Sequence, residues 1–169
     1  MLDEAKAVLN LLEKRGFEAF YIGGKCRTDL HNLYHQDEKM QIHDIDIVTN
    51  ATADEIKKIF PHHDEHGVAF SVVVVHFAEN EFEIATYRKD SYDMAKVKRS
   101  AKIVKPTVTV AGSLDEDRAR RDFTMNAVAQ DVNNKYIDYT YMQKNKVISA
   151  MGDINNKITT FNGDKPEVF

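Results

Sequence analysis

Several things that would tie this chain to a particular setting are missing from it. Among its 169 residues there is one cysteine, Cys26, so no disulfide can form within the chain. A reducing, cytoplasmic setting is the expectation that follows. No apolar run approaches the roughly 20 residues of a membrane-spanning helix, and no membrane partner is expected. The start, Met1-Leu2-Asp3-Glu4-Ala5-Lys6, carries acid where a secretory leader would carry an apolar core. The glycosylation triplet Asn50-Ala51-Thr52 therefore reads as chance. There is no internal repeat and no low-complexity linker. A basic excess is absent too, since the formal net charge is −4. A nucleic-acid partner would need a local basic patch, because the whole-molecule field does not supply one. What is present is ordinary for a soluble globular protein: 43% of residues are hydrophobic and 30% charged, over a length that allows one domain with a sizeable core.

Periodicity places the elements. Residues 3–15 put Ala5, Val8, Leu9, Leu11 and Leu12 on one helical stripe, which Gly16 ends. Residues 17–22 read as a strand, and residues 25–34 as a helix with Leu30 and Leu33 inward. Residues 35–41 are polar and irregular. Thr52-Ala53-Asp54-Glu55 is a capping box that opens a short helix, and Pro61 ends it. His62, His63 and His66 follow with no cysteine nearby, and read as a solvated turn rather than a zinc site. Residues 70–77 and 82–87 form a hairpin about Glu79-Asn80. Residues 88–112 lack a period and are expected to be a long loop. Residues 114–125 look helical. Residues 127–131 and 135–139 pair across Asn133-Asn134, and a helix is expected at 153–158.

The chemistry concentrates at His43-Asp44-Ile45-Asp46-Ile47-Val48, a strand by pattern. A side-chain period of two sends Ile45 and Ile47 to one face, and Asp44 and Asp46 together to the other. Adjacent carboxylates repel unless a cation lies between them. Hard oxygen ligands of this kind suit Mg²⁺, which completes its shell with water and substrate phosphates. Upstream lies Tyr21-Ile22-Gly23-Gly24-Lys25-Cys26-Arg27. Glycines let the backbone approach a phosphate, and the helix that follows offers free N–H groups. Arg27, one turn into that helix, reaches the same anion. Cys26 reads as core packing.

These residues resemble a known family. Ile22-Gly23-Gly24-x-x-Arg27 and Asp44-Ile45-Asp46-Ile47-Val48-Thr49-x-Ala51-Thr52 come first. Phe82-Glu83-Ile84-Ala85-Thr86-Tyr87-Arg88-x-Asp90 follows. The most specific stretch is Ser113-Leu114-Asp115-Glu116-Asp117-x-Ala119-Arg120-Arg121-Asp122-Phe123-Thr124-Met125-Asn126-Ala127. Ile137-Asp138 and Gly152-Asp153-Ile154-x-Asn156-Lys157-Ile158 complete the series. In this order they are similar to the head domain of the class II tRNA nucleotidyltransferases and bacterial poly(A) polymerases. That group is a branch of the DNA polymerase beta-like nucleotidyltransferase superfamily.

The resemblance implies an α/β nucleotidyltransferase fold, a small mixed β-sheet with helices covering one face and the active site open on the other. It implies that Asp44 and Asp46 bind catalytic Mg²⁺ in a two-metal site, with Glu83 as a third carboxylate or else a solvated or arginine-paired one. Gly23, Gly24, Arg27 and Arg121 would hold the nucleotide. Asp122 is read as orienting Arg121 or capping a helix. Arg88 could steer a phosphate or pair with Asp90. Lys96, Lys98 and Arg99, with Lys102 and Lys105, form a basic segment that could neutralise phosphates of an RNA primer.

The departures are equally specific. In the family the arginine after Gly-Gly is normally followed by Asp. Here Thr28 follows Arg27 and Asp29 comes one place late, which on a helix turns a carboxylate by about 100°. Residues 35–41 and 141–150 are apparent insertions. The expected organisation is a single head domain over residues 1–169, without the neck, body and tail of full-length relatives, whose functions a partner chain could supply. Two functions fit. One is Mg²⁺-dependent transfer of a nucleoside monophosphate from ATP, CTP or another triphosphate to an RNA 3′-hydroxyl, as in tRNA CCA-end addition or poly(A)-type extension, with release of pyrophosphate. The other is a nucleotide- or RNA-binding module whose catalysis is lost or partner-dependent.

In relatives, neck side chains read the Watson–Crick edge of the base, and polar readers of that kind discriminate strongly. The isolated 169-residue chain is therefore expected to bind ATP, CTP, GTP and UTP with little preference, and not to build a defined C-C-A end alone. Single-nucleotide extension on tRNA ending before, within and after that triplet checks this. Ordered addition of C, C and A with termination would assign base reading to residues 35–41 or 141–150 instead.

Overall fold

The computed structural model describes residues 1–64, 71–91 and 107–163. The first helix, α1 (Leu2–Lys14), buries Ala5, Val8, Leu9 and Leu12, as its stripe predicts. Asp3 and Glu4 in its first turn and Lys14 in its last suit the helix dipole. Gly16 then takes φ +88°, a left-handed conformation that glycine adopts without a steric penalty.

Six strands make the main sheet: β1 (Ala19–Ile22), β2 (Asp46–Thr49), β3 (Val72–Phe77), β4 (Asn80–Thr86), β7 (Ala129–Gln130) and β8 (Tyr136–Ile137). Their spatial order is β3-β4-β2-β1-β7-β8. β2 and β4 run parallel, and every other neighbouring pair is antiparallel. The sheet is thus mixed, and the α/β expectation holds. Helices α1, α2 (Gly24–Tyr34) and α3 (Ala53–Ile59) supply Leu9, Leu12, Cys26, Leu30 and Ile56 to one face, where they meet Ile47, Val73, Val75, Phe82 and Ile84. Each such side chain, fully buried, contributes roughly 1.5–3 kcal/mol.

The other face carries a smaller apolar cluster. Ile22, Val48, Ala85 and Tyr87 pack there with Ala111, with Leu114 of α4 (Leu114–Ala119) against them. Alternation along β2 and β4 places Asp46 and Glu83 on this same face, one step from Val48 and Ala85. The charged row therefore lies at the rim of a small apolar cluster.

Five expectations need correction. The acidic strand begins at Asp46, not His43, because Ile22, the last residue of β1, pairs with Asp46. Asp44 precedes the strand. Leu33 is 58% exposed rather than inward. Residues 88–112 are not a featureless loop: β5 (Arg88–Ser91) and β6 (Thr107–Val110) form an antiparallel ribbon. The helix expected at 114–125 stops at Ala119. There the chain becomes extended, Phe123 bridges Phe161, and the Asn162 N–H donates to the Asp122 carbonyl at 2.8 Å. Tertiary pairing outweighs helical propensity at that point. Finally, the helix expected at 153–158 lies earlier, as α5 (Ala150–Asn155), which Ser149 caps. The apparent insertion at 141–150 takes the form of a hairpin, β9 (Thr140–Gln143) and β10 (Lys146–Ser149), turning at Lys144 and Asn145 with positive φ.

The other turns follow the sequence. Thr52 and Glu55 form a reciprocal capping box. The β3–β4 hairpin turns at Ala78 and Glu79, both with positive φ. His63 bridges Val75, while His66 lies outside the described residues. No helix among the described residues is long and apolar enough to cross a membrane.

Because Ile47 is wholly buried at the centre of the sheet, Ile47→Val should cost about 1 kcal/mol. Urea unfolding should show a lower midpoint and an unchanged slope.

Candidate active site

The site forms where β1 ends and α2 begins. Gly23 has φ +71°, and a Cβ built there would lie 3.4 Å from Asp46 Oδ2 and 3.8 Å from Arg121 Nη1. A side chain at that position would be strained by its backbone, while both groups would lie at ordinary contact distance. Gly24 opens α2 in ordinary helical conformation, and a Cβ there would meet Arg27 Nη2 at 3.8 Å, a normal contact. Unlike Gly23, this glycine is not demanded by a positive φ. It leaves space in front of the helix N-terminus, where N–H groups point outward.

Two cavities of about 490 Å³ each adjoin at this turn, and both are lined by Gly24, Arg27 and Asp46. The first extends past Thr28 to Met40, His43 and Asp44. The second extends past Gly23 to Arg120, Arg121 and Asn126. The first wall is thus acidic and the second basic, with Asp46 belonging to both. Asp44, Asp46, Gly23, Gly24, Arg27 and Arg121 are brought together as the sequence predicts. Glu83 is the register partner of Asp46 across β2 and β4. It faces the same side but lies outside both linings.

Burial acts against the charges here. It raises the Asp46 pKa, the nearby Glu83 charge raises it further, Arg121 opposes this, and Asp44 adds to it. Burial lowers the Arg121 pKa, while Asp117 works the other way. Arg121 Nη2 donates to Asp117 Oδ2 at 3.2 Å. Asp122 does not serve Arg121. Its Oδ1 instead accepts from the Phe123 N–H at 2.8 Å and from Asn126 Nδ2 at 3.2 Å, bracing the short 3-10 turn Thr124–Asn126. Asn126 Oδ1 accepts from Arg27 Nη1 at 2.6 Å. Asp117 and Asn126 are the site residues that sequence reasoning passed over. Both stand inside the most specific motif, and their spacing from the arginines was the available signal.

The late acid finds a different partner. Asp29 Oδ2 lies 2.7 Å from Lys25 Nζ. Lys25, 4% exposed, also donates to Gln130 Oε1 and sits 4.5 Å from the centroid of the Tyr21 ring. Thr28 is buried and lines the first cavity. Cys26 is fully buried, and burial pushes its thiol up to about 12, in keeping with a packing role. Arg88 starts β5, outside both cavity linings; its N–H donates to Asp117 Oδ1 at 2.9 Å, and its Nε is buried without a partner among the described residues. Lys96, Lys98, Arg99, Lys102 and Lys105 lie outside the described residues.

Among the described residues, no group of three or more His, Cys, Asp or Glu side chains is arranged to hold a metal ion by itself. The donors that are present fit a hard divalent ion of another kind. Asp44 and Asp46 line one cavity, and an ion bound by one or two carboxylates takes the rest of its shell from water and phosphate.

Residues 19–148 match the poly A polymerase head domain family. The chain belongs to that family. Over all 169 residues it is 36% identical to the CCA-adding enzyme of Staphylococcus aureus strain MRSA252, covering 37% of that protein. Among solved structures, the Bacillus stearothermophilus CCA-adding enzyme in complex with CTP superposes with a TM-score of 0.76 at 28% identity, over 99% of this chain and 35% of that one. A tRNA nucleotidyltransferase complexed with a primer tRNA and an incoming ATP analog gives 0.56 at 25% identity, over 90% of this chain and 37% of that one. The chain thus spans little more than a third of the length of these relatives. Divalent-metal use goes with membership of this head-domain family.

The Asp46 shift has a consequence for stability. Its folded-state pKa is raised above the usual 3.8. Above that value the folded chain therefore holds more protons than the unfolded chain, and stability falls as pH rises through the folded value. In metal-free buffer, Asp46→Asn should remove this fall and raise the melting temperature at neutral pH. Thermal melts of both proteins from acid to neutral pH check it.

Proposed function

We propose that this chain is the catalytic head of an Mg²⁺-dependent RNA nucleotidyltransferase. In this reading the 3′-hydroxyl oxygen of an RNA, most simply a tRNA, attacks the α-phosphorus of ATP, CTP or another nucleoside triphosphate. The bond to the β-phosphate oxygen breaks, pyrophosphate leaves, and the hydroxyl proton passes to water. The observation that carries the reading is the Gly23 turn, with the Asp46 carboxylate and the Arg121 guanidinium 3.4 and 3.8 Å from its Cβ position. A triphosphate with its cation needs both signs of charge at one place, with backbone able to come close.

The names of the relatives support the same assignment: CCA-adding enzymes, one solved with CTP, and a tRNA nucleotidyltransferase solved with primer tRNA and an ATP analog. Gly23, Gly24 and the first N–H groups of α2 would approach the phosphates. Arg27, oriented by Asn126, and Arg121 would stabilise charge as it develops on them. Asp44 and Asp46, with Glu83 beside them, would hold the Mg²⁺ ions. Bound there, such ions lower the pKa of the attacking hydroxyl and offset charge on the leaving group. Residues 1–169 act as a single head domain in this scheme. Base reading and tRNA holding belong to neck, body and tail segments, supplied by further chain or by a partner chain.

A second reading, nucleotide binding with lost or partner-dependent catalysis, has one observation in its favour. The acid that follows Arg27 in relatives is Thr28 here, and Asp29 is paired with Lys25.

Incubation with Mg²⁺, labelled nucleoside triphosphates and tRNA lacking its 3′ end separates the two. Transfer is expected, and Asp44→Ala or Asp46→Ala should each reduce it by more than about 10²-fold, the scale of losing a major electrostatic stabiliser. Mg²⁺-dependent nucleotide binding without transfer would favour the second reading. Full activity in either variant would place the chemistry elsewhere.

A further inference from the structure

Asp117 has no part in the steps above, yet it is among the most deeply placed charges in the described chain. It lies on α4 and is 0% exposed. A buried carboxylate is tolerated only where donors surround it, and three reach this one. Oδ1 accepts from the Arg88 N–H at 2.9 Å and from Arg120 Nε at 3.4 Å. Oδ2 accepts from Arg121 Nη2 at 3.2 Å.

The geometry of Arg121 gives that last bond its meaning. Its side chain is 17% exposed, and its Nε is buried without a partner among the described residues. Its Nη1 lies on the opposite side of the fork from the Asp117 bond, 3.8 Å from the Cβ position of Gly23. The guanidinium is therefore pinned at one corner and presents another to the second cavity. Arginine is a long side chain that loses rotamer freedom when it binds an anion. A fixed carboxylate takes that loss at folding instead, and the site meets its ligand preset. Burial alone would disfavour the charged guanidinium, and Asp117 opposes this.

We propose that Asp117 is a positioning residue, which holds Arg121 aimed at the glycine turn so that an incoming triphosphate meets a preset guanidinium. The proposal rests on the nucleotidyltransferase reading. Its rival is a purely structural role, in which Asp117 only ties the start of β5 to α4 through the Arg88 N–H.

A double-substitution cycle separates them: native chain, Asp117→Asn, Arg121→Ala, and the pair. The probes are Mg²⁺-ATP and Mg²⁺ with inorganic tripolyphosphate, measured by calorimetry. Asp117→Asn keeps an acceptor for the Arg88 N–H but removes the charge from the Arg121 bond. It should weaken both probes about tenfold, the difference between a charge-assisted and a neutral hydrogen bond. In the Arg121→Ala background the same change should weaken them less than about twofold, since groups in one network do not add. Losses that add across the cycle would overturn the proposal, as would equal affinity of native and Asp117→Asn. Should Asp117→Asn fail to fold, Asp117→Glu keeps the charge and displaces Arg121 by a methylene. It is expected to lose tripolyphosphate affinity several-fold, and unchanged affinity there also overturns the proposal. A native chain that binds neither probe removes the nucleotidyltransferase reading and this proposal with it.

Discussion

The backbone pairing of Ile22 with Asp46 is the constraint on which the rest of the site depends. β1 cannot continue past Ile22, because Gly23 turns the chain into α2 in a left-handed conformation. The helix N-terminus is thereby fixed beside the first residue of β2. The parallel pairing of β2 with β4 then sets Glu83 next to Asp46. A slip of one residue would send Ile47 and Ile84 out of the main core and the acids into it. The apolar alternation of these two strands is what holds the charged row in place.

Burial at this point works against both signs of charge. Asp46 is held above its usual pKa and Arg121 below its own. Neither group is in the environment that would stabilise the free chain best. Each is partly relieved by the other, and Arg121 further by Asp117. The ligand proposed for this site, a triphosphate with its cation, would relieve both groups. Local consistency is given up where function needs it and kept everywhere around it.

Much of this was legible in the sequence because it is written in short-range patterns. The α1 stripe, the Thr52 capping box and the β3–β4 hairpin each depend on neighbours within one turn or one strand. The Gly-Gly turn and the two acids could be joined because both are made of residue types with few alternative uses. What could not be read depends on distant partners. The β5–β6 ribbon has its halves separated by a charged stretch, and although Thr107–Val110 alternates, its partner Arg88–Ser91 is wholly polar and shows no strand period. α4 ends early because Phe123 and Asp122 find Phe161 and Asn162, nearly forty residues further along. Leu33 satisfies a helical stripe, yet no element among the described residues covers it. Asp117 and Asn126 were overlooked because each acts by holding an arginine, Asp117 on Arg121 and Asn126 on Arg27. The sequence shows which residues carry charge. It does not show which of them are there to aim another.

The single thiol closes the account of α2. Cys26 sits on the buried side of the helix whose N-terminus faces the cavities, and burial keeps it almost wholly protonated at physiological pH. A thiol in that state is chemically silent while the helix stays docked. It becomes nucleophilic only in molecules where α2 has left the sheet. The rate at which an alkylating reagent consumes Cys26 therefore measures how often the cavity-facing helix comes away, in a chain with no second cysteine to blur the signal.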